Sequence, residues 1–347
     1  MKTSDSCKIQ VQEIKKVKAF KHFNATSVDE AIALMRSAKG NANLIAGGTD
    51  LLGVLKDEIL PGYPEAIINI KTIPGLDDIE ENGKGLKIGA LTKLVDVVTH
   101  PLIRKKYPLL SKAAEAVATP EIRNMATLGG NLCQDTRCWY YRYPHHMGGR
   151  IICYRKEKGP CQAIKGDNRY HAIMGGKVCF AVCPSDTAIA LTALDARLEI
   201  KSSQKVRRVS VDEFFTPRGN ILEPDELLTH IEIPKPAAGV RQEFLKYTLR
   251  KPVDFAIASV ATVVTMKAGT CKDARIVLGA VAPTPVRAVE SEKILKGKVA
   301  SEKGIAAAAK AAVKDAKPMR MNAYKVEITE TLVRRALLPI LQSVSVK

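Results

Sequence analysis

No apolar run in these 347 residues approaches the roughly 20 that a membrane-spanning helix needs, so no span is expected. The N-terminus, MKTSDSCKIQVQEIKKVKAF, has scattered lysines but no continuous apolar stretch, and it does not read as a signal peptide. The expected compartment is the cytoplasm, with export on a signal-bearing partner as the other route. There is no dense arginine-rich tract and no nucleic-acid-binding signature, although 54 Lys and Arg against 36 Asp and Glu give a net charge of +18. No nucleic-acid partner is expected. The charge fits a surface that docks on acidic partner subunits, or one that is simply well solvated. No CxxC pair occurs, so a search for close-spaced metal motifs finds nothing.

What is present is an ordinary globular composition, 46% hydrophobic and 26% charged, in a chain long enough for two or three domains. The exception is one segment. Cys133, Cys138, Cys153, Cys161, Cys179 and Cys183, six of the eight cysteines, lie there with Trp139, the only tryptophan. In a cytosolic chain such clustering points to metal or iron–sulfur ligation ahead of buried thiols or disulfides. Cys7 and Cys271 read as ordinary thiols.

Residues 1–18 read as an arm, loosely ordered or gripping a partner. SVDEAIALMRSAKG carries a capping Ser27, an acid at Glu30 and helical apolar spacing, closed by Gly40. NLIAGG reads as a short strand, and PEAIINIKTIPGL and GLKIGALTKLVDVV as strands leading to a helix. LLSKAAEAVAT reads as a helix ended by Thr119-Pro120. PSDTAIALTALDARLEI is a helix running into a strand, and IPKPAAGVR is the best linker. Beyond it come strand, turn and strand, then the helices SEKGIAAAAKAAVKDA and EITETLVRRALLPILQSV.

Three phrases can carry chemistry. In AGGTDLL a strand ends in Gly47 and Gly48, followed by Thr49 and Asp50; glycines let consecutive N–H groups turn toward an anion. It is neither GxGxxG nor a P-loop. ATLGGNL repeats the vocabulary, and two such turns suit a ligand bearing phosphates, such as a dinucleotide. Pro184-Ser185-Asp186 opens a helix and also fits a plain N-cap.

The order AGGTDLL, TPEIRNMATLGGNL, PSDTAIALTALDARLEI, then QEFLKYTLRKPVDFAIASVA, resembles the FAD-binding subunit of the xanthine dehydrogenase/molybdenum hydroxylase family over roughly residues 19–345. The resemblance implies an α+β fold. A two-subdomain PCMH-type (vanillyl-alcohol-oxidase-like) FAD-binding domain at 19–235 would precede a CO-dehydrogenase-flavoprotein-like α+β domain at 240–347. It implies that Leu44, Ile45, Ala46, Gly47, Gly48, Thr49 and Asp50 cradle the FAD pyrophosphate. Thr127, Gly129, Gly130 and Asn131 would form a second wall, Asp186 would reach a ribose or ribityl hydroxyl, and Lys246 would lie near the flavin ring.

The segment at about 133–183 resembles the insertion of 4-hydroxybenzoyl-CoA reductase and bacterial aldehyde oxidoreductase flavin subunits, which holds a [4Fe–4S] cluster. The matching ligands are Cys138, Cys153, Cys161 and Cys179, with Cys183 as the alternative to Cys179. His145 and His146 read as polar loop residues, and Trp139, Tyr140 and Tyr141 as a wall against water. The resemblance implies an electron-transfer subunit with no catalytic residue of its own. Its partners would be a large molybdopterin subunit, a small [2Fe–2S] subunit and an external carrier such as ferredoxin or NAD. A zinc-stabilised binding protein and a self-sufficient flavin oxidase are the competing readings.

Overall fold

The computed structural model describes residues 17–156, 159–251 and 253–343. All but the last two residues of the expected N-terminal arm, and Cys7 with them, lie outside the described residues. The fold is mixed helix and sheet, as expected. Three sheets organise it.

The first is a parallel sheet with Ala66–Asn69 between Lys21–Asn24 and Ala42–Ile45. Helix Val28–Ser37 covers it, burying Ala31, Ile32 and Met35 at helical spacing against Ile68 and Ile70. Ser27 caps that helix by accepting from Glu30 N at 3.1 Å, as its sequence predicts. The helix stops at Ser37, before Gly40, because Lys39 and Gly40 both take left-handed backbone.

The second sheet is antiparallel, in the order Ile79–Asn82, Gly85–Gly89, Leu227–Pro234, Arg197–Lys201, Val206–Ser210. Its apolar face packs on helices Leu94–Thr99, Pro108–Glu115 and Asp186–Ala193. The helix begun at Pro108 ends at Glu115, and Thr119-Pro120 does not terminate it. Pro120 instead opens the next helix, Pro120–Met125, where its fixed φ and missing N–H cost nothing.

The third sheet runs Val240–Tyr247, Ala258–Lys267, Thr270–Gly279, Val286–Arg287. Its residues alternate between two cores. Phe244, Ala261 and Val277 join the core of the second sheet, while Val260, Val264, Ile276 and Leu278 pack on helices Glu302–Ala312 and Tyr324–Leu337. Burial on both faces explains why the strand Ala258–Lys267 carries no charge before its last residue.

Among its described residues the cysteine-rich segment builds no sheet or α-helix of its own. Beyond the end of helix Leu128–Cys133 it has two 3-10 turns, His145–Met147 and Gln162–Ile164. Among the described residues no helix is long and apolar enough to cross a membrane.

Candidate functional site

Strand Ala42–Ile45, with Leu44 and Ile45 half-buried, runs into the turn 46–50 and then the short helix Leu51–Lys56. Gly48 sits at φ 71°, a left-handed conformation that favours glycine. A Cβ on Gly47 would stand 2.0 Å from Met125 O, so only glycine lets this turn touch the chain entering the second. Among the described residues, no protein group accepts from the backbone N–H of Gly47, Gly48, Thr49 or Asp50. The Lys71 ammonium donates to Ala46 O at 3.0 Å, beside those open amides. Open N–H groups with an adjacent ammonium form a ready anion cradle.

The Asp50 side chain turns the other way. Its carboxylate accepts from the Arg137 guanidinium, from Arg142 Nη2 at 2.7 Å and from Asp135 N at 2.8 Å. Burial pushes its pKa up, but the two arginines and the amide together hold it below the usual carboxylate value. Asp50 thus ties the first glycine turn to the cysteine-rich segment.

The second turn uses its amides internally. Leu128 N and Gly129 N donate to Thr92 O and Ala90 O, both at 2.8 Å, and Gly130 N to Thr127 Oγ1 at 3.1 Å. Asn131 Oδ1 accepts from both Ser185 Oγ and Thr187 Oγ1 at 2.6 Å, which fixes the start of helix Asp186–Ala193. Ser185, rather than Asp186, caps that helix. Asp186 is free to pair with Lys246 Nζ at 2.7 Å, and Lys246 also donates to Ala116 O at 2.8 Å. Both side chains are buried; burial raises the Asp186 pKa against the opposing pull of Lys246. The structure therefore brings together Gly47 and Met125, Asn131 and Ser185, Asp186 and Lys246, although they stand far apart in sequence.

Cys138, Cys153, Cys161 and Cys179 line one cavity, with Tyr140, Tyr141, Tyr154 and Arg155 among its other walls. Cys133 and Cys183 are not in its lining. They pack at the core of the second sheet, where burial pushes both thiols up to about 12. Burial also raises Cys138, to about 11, and Cys179. A ligand metal would have to displace those protons. The cavity between these thiols is small, about 20 Å³. Among the described residues, no three Cys, His, Asp or Glu side chains close on a point as a single metal ion requires. Four cysteine thiols around one cavity are the donor set that an iron–sulfur cluster takes.

Several residues that sequence reasoning missed hold this segment. Arg155 Nη2 pairs with Asp135 at 2.8 Å and its guanidinium lies 5.5 Å from the Tyr141 ring centre; the Tyr141 hydroxyl donates to Asp135. Buried His171 places Nε2 3.2 Å from Cys138 Sγ. Burial, then Lys325, lowers its pKa to about 4. His145 and His146 lie exposed on a 3-10 turn. The far end of the segment is clamped by the C-terminal domain. Asn322 Nδ2 donates to His171 O and Ala172 O at 3.1 and 3.2 Å, and Lys325 Nζ donates to His171 O at 3.0 Å and Ala280 O at 2.6 Å. The available signal was the arginines at 137, 142 and 155 interleaved with the cysteines, too many for an exposed loop that binds nothing.

Comparison with known proteins follows the same outline. The profile of the FAD binding domain in molybdopterin dehydrogenase matches residues 18–139 and 164–236, and that of the CO dehydrogenase flavoprotein C-terminal domain matches 243–340. The break between 139 and 164 falls inside the cysteine-rich segment and holds Cys153 and Cys161. The chain is 35% identical to the aldehyde oxidoreductase FAD-binding subunit PaoB of Escherichia coli K12, over 78% of this chain and 84% of that one. It is 29% identical to the carbon monoxide dehydrogenase medium chain of Hydrogenophaga pseudoflava, over 92% and 96%. Among solved structures, carbon monoxide dehydrogenase from that organism superposes with a TM-score of 0.75 at 28% identity, covering 94% of this chain and 99% of that one. Quinoline 2-oxidoreductase from Pseudomonas putida 86 gives 0.74 at 27%, covering 95% and 99%. With its open amide cradle and both domains matched in order, the chain belongs to the FAD-binding subunits of the xanthine dehydrogenase/CO dehydrogenase molybdenum hydroxylase family.

Proposed function

We propose that this FAD-binding subunit also carries one [4Fe–4S] cluster and transfers electrons within a multi-subunit molybdenum hydroxylase or reductase. Its partners are a large molybdopterin subunit and a small [2Fe–2S] subunit, with an external carrier such as ferredoxin or NAD. The substrate, an aldehyde, an N-heterocycle or an aromatic acyl-CoA, reacts on the partner chain. The names of the relatives, an aldehyde oxidoreductase subunit and a dehydrogenase medium chain, support that setting. The proposed division is 19–235 for FAD binding, with the cluster segment at about 133–183, and 240–347 for the C-terminal domain. The observation that carries the cluster is the lining of one cavity by Cys138, Cys153, Cys161 and Cys179.

On this reading the amides of 47–50 and the Lys71 ammonium bind the FAD pyrophosphate, and exposed Gly130 belongs to the second wall of the site. Asp186 at 2.7 Å and Ala116 O take two of the three Lys246 N–H groups, so the third is held ready to stabilise negative charge on the flavin side. When bound, FAD supplies exchange between one- and two-electron transfer, and the cluster supplies single-electron transfer. Tyr140, Tyr141 and Tyr154 exclude water from the thiols.

Acid precipitation and metal analysis test the reading together. All yellow colour should leave the precipitate, as for non-covalent FAD, and about four irons should accompany each chain. Cys153→Ser or Cys161→Ser should lose that iron, and Cys183→Ser should keep it. A colourless, zinc-loaded protein would sink both cofactors. Activity on a small organic substrate without partner chains would favour a self-sufficient oxidase.

A further inference from the structure

The His171 ring is placed with unusual completeness for a loop residue. Its edge contacts Trp139 at a centroid separation of 5.7 Å, Tyr140 lies at 6.0 Å, and the backbone N–H of His171 donates to Asn168 O at 3.0 Å. Asn322 and Lys325, from the other domain, grip its carbonyl. Nε2 then faces Cys138 Sγ at 3.2 Å, while Nδ1 is buried with no hydrogen-bond partner among the described residues.

One ring nitrogen of a neutral imidazole carries the proton. A ligating cysteine is a thiolate, which accepts hydrogen bonds and cannot donate them. With the proton on Nδ1, a donor would be buried unpaired and the Nε2 lone pair would oppose the sulfur. With the proton on Nε2, the one available acceptor is used and Nδ1 keeps only a lone pair. The geometry selects the second tautomer.

We propose that His171 is a positioning residue whose Nε2–H donates to the Cys138 sulfur and thereby raises the reduction potential of the cluster that Cys138 helps to hold. This rests on the [4Fe–4S] reading above. The cause is electrostatic: reduction adds negative charge to the ligand sulfurs, and a donor aimed at one of them is worth more afterwards than before. His171 is not itself a ligand, and the aromatic wall that orients it also keeps water from replacing it.

The experiment uses the assembled complex and follows the cluster signal by EPR during potentiometric titration. His171→Leu should keep about four irons per chain and titrate at more negative potential, by about a tenfold change in the oxidised-to-reduced ratio or about 59 mV for one electron. His171→Gln, which retains an amide donor, should recover most of the shift. An iron-loaded Leu variant at the wild-type potential overturns the proposal. Loss of iron from both variants also overturns it, because His171 would then be a ligand. Should the Leu variant fail to assemble, pulsed EPR of wild type labelled with 15N-histidine decides. A weak nitrogen coupling is expected, whereas none, or the strong coupling of a bound nitrogen, refutes the hydrogen bond. Iron-free wild-type protein would instead sink the cluster reading, and that outcome is visible before any variant is made.

Discussion

Among the described residues, the turn at 46–50 leaves the amides of 47–50 without protein acceptors, whereas the turn at 126–131 spends the amides of 128–131 on its own surroundings. Both carry paired glycines, for different reasons. Gly48 is there for its left-handed backbone, Gly47 for its approach to Met125, and Gly129 because Ala90 leaves no room for a side chain. On the proposed reading the first turn receives the ligand and the second holds the receiver in place. Similar glycine phrases can therefore divide a binding site into a contact surface and its support.

Substitutions should separate the two turns, beginning at their seam. Gly47→Ala puts a Cβ into the Met125 carbonyl, so it should cost about 3 kcal/mol of stability by overpacking. It should also weaken FAD retention at least tenfold, since both turns must move. Chemical denaturation of the flavin-free protein, with a flavin titration, reads the two effects. Gly129→Ala is tight against Ala90, at 2.7 Å from its Cβ, and should cost about 2 kcal/mol. Unlike Gly47→Ala, it should leave flavin affinity of the folded protein nearly unchanged. Equal affinity losses in the two variants would erase the distinction. Thr127→Val removes the acceptor for Gly130 N and should lower the stability of the flavin-free protein by about 1 kcal/mol.

The smallest effect concerns acid. Asp50 has its pKa lowered in the fold, so its stabilising contribution is present above the ordinary carboxylate value near 3.8 and is lost as pH falls through the lower folded value. Limited proteolysis of the cysteine-rich segment should accelerate below that range, and Asp50→Asn should remove the pH dependence. An unchanged acid profile in the variant would mean that Asp50 does not tie the segment down.

Local features were legible where the physics is local. Ser27 and the spacing of Ala31, Ile32 and Met35 specify a helix, and the helix forms. Thr119-Pro120 reads as a helix end and proves to be a helix start, because proline suits both; the left-handed Ala118 has already broken the chain direction. The glycine turns were visible as turns, but nothing in their spelling says whose amides stay open. Asp50 and Arg137 lie 87 residues apart, so their ion pair exists only in the folded chain. His171 was passed over for the same reason, since what buries it arrives from Asn322 and Lys325.

That long-range clamp sets an order of events at the ribosome. The last candidate thiol, Cys179, is made well before Met321, whose N–H binds Asn168 Oδ1 at 3.0 Å, and before Asn322 and Lys325. A growing chain thus displays its thiols on an unclosed loop until its final helix emerges. On the proposed cluster reading, iron delivery and closure would be late steps of maturation, and the unfinished protein would be the form most open to the delivery machinery. A chain stopped before Met321 should keep Cys138 and Cys179 open to alkylation, while the full-length chain protects them.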